Sequence, residues 1–398
     1  MAAAPRASTG RTDNHRATDG SATPASEATS RELAGLAGAF EGLSHGVLQA
    51  VSDFDMASGD ERFDPEFDVI EAMAAAAHGH ATSVSLMQRD LAPDQWRRIL
   101  TRVEAANAKG TPMRVQVAPR GIGVILGLET TFHPFIGFPS YQRIASLPLA
   151  ERVAAMRDPA FRAQMLSETS QPVAGDGSAI PPMVDLFLSK IEMISLKIFR
   201  LGENPDYEPA LERSLYAEAH GRGVGALEAL YDAMLDRDGH ELLYFPIFNY
   251  TEFSLDNVRT MLAHPLSLLS LSDGGAHVGT VCDASYSSFF LAHWTRDRAE
   301  GRFSLEQAVR MLTSVNSRYL GLADRGVLAP GLRADLNVLD PARLRLHPPR
   351  LVHDLPAGGR RLLQDADGYL ATVVAGEVIR DAKGLTGARP GRVVRLGR

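Results

Sequence analysis

An α/β fold is expected for this chain, with parallel strands of the (β/α)-barrel type and a small β-domain at the C-terminal end. Three patterns point there. Apolar strands and amphipathic helices alternate with a repeat of about 30 residues, which calls for parallel strands joined by helical crossovers. Successive strands end in polar or acidic residues, and the C-terminal rim of the strands is where a barrel keeps its chemistry. Beyond residue 322 the helical pattern gives way to short strands.

The elements follow in order. Residues 1–30 are rich in Ala, Ser, Thr and Gly and read as a loop or disordered lead-in. "SRELAGLAGAFEGL" reads as a helix with Ser30 as N-cap. "GVLQAVSD" is a strand, "FDVIEAMAAAAHG" a helix capped by Gly79, and "ATSVSLMQRD" a strand with a polar end. "DQWRRILTRVEAANAKG" is a helix closed by Gly110, and "PMRVQVAPRG" is a further strand. Residues 126–237 are mixed and helical, an insertion able to cover a barrel mouth. The alternation returns with the strand "ELLYFPIFNY", the helix "LDNVRTMLAHP", the strand "LSLLSLSD" and the helix "SLEQAVRMLTSVNSRYLGL". The organisation expected is a lead-in at 1–30, a barrel segment at 31–322 and a β-domain at 323–398.

With 45% hydrophobic and 22% charged residues among 398, the composition suits a soluble globular protein. A net charge of −7 argues against a nucleic-acid partner. No apolar run reaches membrane-spanning length, and "MAAAPRASTGRTDNHRATDG" has no apolar leader core. A single cysteine, Cys282, excludes an internal disulfide framework and suits the cytoplasm.

The stretch "LSLSDGGAHVG" joins an apolar strand to Asp273, two glycines and His277. An Asp at the end of a barrel strand projects into the mouth, as a metal ligand or as the base that deprotonates a water. His277 would bind substrate or steer that Asp. The alternative is an Asp-Gly turn with the Asp capping the next helix, and the local residues leave both open. Other candidates have similar pairs of readings. His15 and Arg16 form a carboxylate clamp or a solvated loop. Asn249 and Tyr250 face the mouth or pack in the rim, where Asp53 and Gln88 also fall. Cys282 is a structural thiol, or a nucleophile partnered by His277. Lys197 snorkels from a strand, or bridges metals as a carbamate. His78-Gly79-His80 follows an Ala-rich helix rather than a strand, so a helix cap is preferred to a metal loop. The glycines from Gly121 to Gly127 do not follow a dinucleotide fingerprint.

"SLLSLSDGGAHVGTVCDASYSSFFLAHWTRDR" and "DRGVLAPGLRADLNVLD" resemble the C-terminal part of the amidohydrolase superfamily, in its D-aminoacylase (N-acyl-D-amino-acid deacylase) group. The "HDLPAGGRRLLQDADGYLATVVAGEVIRDAKG" stretch extends that resemblance, and "GRTDNHRATDG" and "VLQAVSDFD" resemble earlier stretches of the group. The resemblance implies a metal-dependent TIM barrel flanked by a small β-domain. It implies hydrolysis of a carbon–nitrogen bond in a small-molecule amide, with Asp273 as base and near a divalent metal, zinc being the expected ion. The family's first-strand His-x-His and bridging ligand have no counterpart here. Strands near 47–53, 82–88, 113–119 and 267–273, with a fifth at 241–249, would make a partial barrel, its C-terminal half. The other expectation is therefore a truncated, inactive homologue without metal. Open strand edges near 47–53 and 267–273 would favour a homo-oligomer.

Overall fold

The computed structural model describes residues 6–11, 21, 23–52, 62–173, 183–272 and 274–394. Its centre is a parallel sheet of β1 (Arg6–Arg11), β2 (Val47–Ser52), β3 (Ala81–Ser85), β4 (Met113–Val117) and β8 (Ser267–Leu269), in the order β1-β2-β3-β4-β8. Every pairing in it is parallel. Parallel strands need both faces covered, and β3 is buried along Thr82, Ser83, Val84 and Ser85. One cover is the helix Phe63–Ala75, which buries Phe63, Phe67, Ile70 and Ala74 at helical spacing. Another is Gln95–Ala108, which buries Trp96, Ile99, Leu100, Val103 and Ala106. These side chains share one core with Val84, Val115, Val117 and Leu269.

The helix starts and strand positions follow the sequence with three corrections. The cap of the first α-helix, Ser30–Gly38, is Thr29, whose hydroxyl accepts from the Glu32 N–H at 3.2 Å; Ser30 is already inside the helix. The lead-in is not all loop: Arg6–Arg11 pairs along its length with Val47–Ser52, so β2 is not an edge. Backbone hydrogen bonding to a strand needs no apolar run, which is why the stretch lacks a strand signature. The third concerns Leu243–Phe248 (β7), expected as a barrel strand. It pairs antiparallel with β5 (Ile122–Leu126) and with β6 (Phe199–Arg200) in a separate sheet of order β5-β7-β6. Gly123 permits that approach, since a Cβ there would lie 2.3 Å from the Phe245 carbonyl oxygen. Among the described residues the parallel sheet is open between β1 and β8, and no barrel closure is seen.

The described residues between β5 and β7 are mostly helical apart from β6, and Phe135, Tyr141, Met156 and Tyr231 share a core with Leu126 of β5 and with Leu243 and Phe245 of β7. Helical turns at Tyr286–Ala292 and His293–Asp297, the latter a π-helix, carry no clear apolar period and are legible only in the structure. The helix beginning at Leu305 has the capping box Ser304/Gln307. Beyond it lies a four-stranded sheet that includes Leu336–Leu339 and Tyr369–Val374, and a hairpin of Arg350–Leu355 and Gly359–Leu363. No helix of the described residues is long and apolar enough to cross a membrane.

Phe67 is fully buried and stacks on Phe63 at 5.5 Å. Phe67→Ala is expected to lower stability by about 3–5 kcal/mol through lost transfer energy and a residual cavity. Denaturant titration checks this, and a loss below about 1 kcal/mol would show that this helix does not anchor the sheet.

Candidate functional site

The candidate site lies at the C-terminal ends of β3, β4 and β8. A polar seam crosses the sheet beneath it. Ser270 Oγ donates to Gln116 Oε1 at 3.1 Å, Gln116 Nε2 to Ser83 Oγ at 2.8 Å, and the Tyr319 hydroxyl to the same Ser83 Oγ at 2.8 Å. Asn316 Nδ2 holds the carbonyl of Leu269 at 3.1 Å, so the last residue of β8 is fixed from a second side.

The chain then enters an irregular segment. Leu271 (φ 63°), Gly275 (φ 105°) and His277 (φ 49°) all lie in left-handed conformations. A leucine and a histidine held there are strained, and strain of this kind persists where surrounding structure enforces it. Asp273 itself lies outside the described residues, as do Asp53, His15 and Arg16. Of the two glycines expected to turn the chain, only Gly275 has the positive φ that excludes other residues; Gly274 rests beside Ala284. The segment is tied down beyond this point. The Thr131 N–H donates to the Gly279 carbonyl at 2.8 Å, Ile125 N–H to Thr280 O at 2.7 Å, and Leu362 N–H to Val278 O at 2.7 Å. The insertion and the C-terminal hairpin therefore both grip the loop that follows Asp273.

Its far end is held by Arg120, three residues past β4 and fully buried. Arg120 Nη2 donates to Asp283 Oδ1 at 3.0 Å and to the Cys282 carbonyl at 3.1 Å. Its guanidinium carbon lies 3.6 Å from the centre of the Tyr207 ring and 4.9 Å from that of Tyr286. The Tyr286 hydroxyl donates to Asp283 Oδ2 at 2.8 Å. Among the described residues Arg120 Nε and Nη1 have no hydrogen-bond partner, so aromatic faces stand in for acceptors. Burial opposes the charge of Arg120, but Tyr207, Asp283 and Tyr286 outweigh that and raise its pKa. The aromatic packing continues from Phe289 to His293, stacked at 4.6 Å. His293 Nε2 meets Glu208 Oε2 at 2.7 Å, and Arg298 Nη2 meets Glu208 Oε1 at 2.9 Å. Burial alone would raise the Glu208 pKa; the hydrogen bonds from His293 and Arg298 prevail and hold it at about 2.

The remaining candidates divide. Asn249 and Tyr250 do not face an open mouth. Both are fully buried, and their polar atoms are committed to backbone. Asn249 Oδ1 accepts from the Gln88 N–H at 2.8 Å, its own N–H donates to the Gln88 carbonyl at 2.8 Å, and the Tyr250 hydroxyl donates to Pro209 O at 2.7 Å. Asn249 thus clamps the end of β3 to the end of β7. It does so with a φ of 66°, which an Asn tolerates better than most side chains. His277 is exposed on the strained loop. Lys197 is buried and paired to Asp90 Oδ1 at 2.5 Å; burial lowers its pKa while Asp90 works against that. Cys282 is a buried thiol pushed up to about 11 by burial, the state of a structural cysteine. The expected cap at Gly79 is corrected: the helix ends at Ala75 with Ala76 as its C-cap, and His78, Gly79 (φ 81°) and His80 lie in the turn beyond, His80 edge-on to Phe40 at 5.3 Å. Sequence reasoning did not single out Arg120, Asp283 and Gln116; the polar end of "QVAPRG" was the only signal for Arg120.

Among the described residues no three His, Cys, Asp or Glu side chains come together to hold a metal ion. Those residues alone do not fit the divalent metal that the resemblance implies.

Comparison with known proteins gives a consistent answer. A model of the amidohydrolase family matches residues 6–380. The chain is 26% identical over 373 residues to the D-aminoacylase of Alcaligenes xylosoxydans xylosoxydans, covering 88% of this chain and 69% of that protein. Its fold is similar to that of N-acyl-D-glutamate deacylase from Bordetella bronchiseptica, solved with zinc and a phosphonate inhibitor. The TM-score is 0.50 at 18% identity, over 94% of this chain and 61% of that one. A D-aminoacylase mutant solved with copper chloride gives a TM-score of 0.50 at 18% identity, over 94% of this chain and 60% of that one. The chain thus spans about three fifths of the length of these solved structures.

Two measurements follow from the charge arrangement. Arg120→Met leaves Asp283 buried without its cation and is expected to cost about 3–5 kcal/mol in denaturant unfolding; a loss under about 1 kcal/mol would mean that the pair does not hold the loop. The Glu208 pKa is depressed on folding, so its contribution to stability is present above the ordinary carboxylate value of 4.5 and is lost as pH falls toward about 2. Glu208→Gln should therefore flatten the stability-against-pH curve between those limits. An unchanged curve would locate the titration elsewhere.

Proposed function

The chain belongs to the amidohydrolase family, and on that premise we propose that it hydrolyses an amide carbon–nitrogen bond other than a peptide bond, with Asp273 as general base. The observation that carries the reading is the strained backbone at Leu271 and His277, beyond the C-terminal end of a parallel strand, followed by the tethers at Val278, Gly279 and Thr280. Strained backbone and strand C-termini are both places where α/β folds keep reacting groups. In this reading the parallel sheet is an arc of a barrel and its rim is the reaction side.

The substrate class proposed is the N-acyl-D-amino acid, after the names of the relatives. The Asp273 carboxylate takes a proton from water as the water oxygen attacks the amide carbonyl carbon. The carbon–nitrogen bond then breaks, and the proton passes from Asp273 to the leaving nitrogen. The products are a carboxylic acid and a free amino acid. In this reading His277, exposed on the same loop, contacts the substrate. Asn249 and Tyr250 act by holding the rim and not by touching the substrate.

Turnover of N-acetyl-D-amino acids by the purified chain, assayed with and without added zinc, tests the reading. Asp273→Asn should lower kcat by about 10²–10⁴-fold with the melting temperature kept, because the carboxamide is nearly the same size but cannot accept the proton. A loss below tenfold would move the base to another residue. No turnover by the unaltered chain under any of these conditions would overturn the proposal and favour an inactive homologue.

A further inference from the structure

A cavity of about 430 Å³ opens where the insertion, the end of β6 and the C-terminal hairpin meet, within the size range of small-molecule sites. Its ionisable lining comes from Glu129, Arg237, His240, Glu241, Arg350 and His353. Glu241 is the anomaly. Its residue is only 4% exposed, yet among the described residues its carboxylate has one hydrogen bond, from the Gly202 N–H at 3.2 Å, and one loose ion pair, to Arg237 Nη1 at 4.0 Å. Buried carboxylates are ordinarily held by several close donors, so this one has capacity for a further cationic donor. Glu129 adds a second carboxylate, paired to His240 Nδ1 at 3.3 Å. The guanidinium groups lie further out: Arg237 and Arg350 have half-exposed side chains, and Arg350 reaches Asp365 on its outer side at 3.1 Å. The backbone that presents Arg237 runs through three consecutive left-handed residues, Arg237, Asp238 and Gly239. The lining carboxylates are therefore its more buried charges and the guanidinium groups its more exposed ones.

We propose that this cavity binds a free α-amino acid, with its ammonium group on Glu241 and Glu129 and its carboxylate toward Arg237 and Arg350. A simple anion would meet the lining carboxylates, and a simple cation would meet the guanidinium groups; a molecule with both charges on adjacent carbons satisfies both. Its position gives the site a route to the reaction loop. Thr130 lines the cavity and the next residue, Thr131, holds Gly279. Leu351 lines it too and pairs with Leu362, which holds Val278. An amino acid bound there stiffens both tethers of the segment after Asp273. That the amino acid is also a reaction product rests on the function proposed above; binding itself does not.

The test is calorimetric titration of the Asp273→Asn chain, in which hydrolysis plays no part, with D-alanine, acetate and methylammonium. D-alanine is expected to bind at least about tenfold more tightly than either half-molecule. Glu241→Gln and Arg350→Gln should each weaken it about tenfold, and amide exchange at residues 278–280 should slow when D-alanine is bound. Arg350 is exposed, so its variant reports even if Glu241→Gln fails to fold. No saturation by D-alanine at about 10 mM, equal binding of acetate or of methylammonium, or unchanged binding in Arg350→Gln would each overturn the proposal. Because no turnover is measured, these outcomes are independent of whether the chain is a hydrolase.

Discussion

Three residues, Ser267–Leu269, dock in parallel against Val115–Val117, and the placement of the loop after β8 depends on that contact. The two strands are separated in the chain by the whole insertion, so the pairing closes a long loop and carries a matching entropy cost. A three-residue edge strand has few backbone hydrogen bonds with which to offset it. The remainder comes from side chains. Leu268 and Leu269 are buried, Ser270 hydrogen-bonds Gln116, and Asn316 reaches back to Leu269. The segment that follows is then delivered to the rim, beside the ends of β3 and β4.

Arg120 extends that constraint. A fully buried guanidinium is costly unless it is paired and enclosed, and here Asp283, the Cys282 carbonyl and two tyrosine rings supply the compensation. The arrangement is specific in direction: the chain leaving β4 reaches Arg120 three residues on, and Arg120 binds the far end of the loop that leaves β8. Near and far ends of one loop are thereby fixed to the same strand, by Gln116 and by Arg120. Strain at Leu271 and His277 is sustained because the ends cannot move. The insertion contributes in the same way. The core around Phe135 and Tyr231 packs it against β5 and β7, and the hydrogen bonds of Thr131 and of Ile125 in β5 to Gly279 and Thr280 link that packing to the loop.

Much of the fold was legible in the residues because it is set by local periodicity. The helices Phe63–Ala75 and Gln95–Ala108 have apolar faces at helical spacing, and β2, β3, β4 and β8 are short apolar runs that end in polar residues. The family was legible too, through the Ser-Asp-Gly-Gly-Ala-His block and the Gly-x-x-x-Pro-Gly-x-x-Ala-Asp block, since both combine backbone needs with chemistry. The need for glycine at Gly275 is one such case, with a φ of 105°.

Tertiary structure alone decided the pairings and the partners. Leu243–Phe248 has the pattern of a buried strand, and no feature of that pattern says whether its neighbour is parallel or antiparallel; Gly123 and the facing strand β5 decided it. Arg6–Arg11 became a strand because β2 offered a free edge, an attribute of the neighbour and not of the stretch itself. Asn249 and Tyr250 were credible mouth residues until Gln88 and Pro209 took up their polar atoms. Arg120 and Asp283 lie far apart in the chain, and a charge pair of that kind has no periodicity to betray it. Local spacing determines which residues are helical, extended or turning; the energy of bringing distant charges and strand edges together is not a property of any one segment, and so it becomes visible only when the chain is folded.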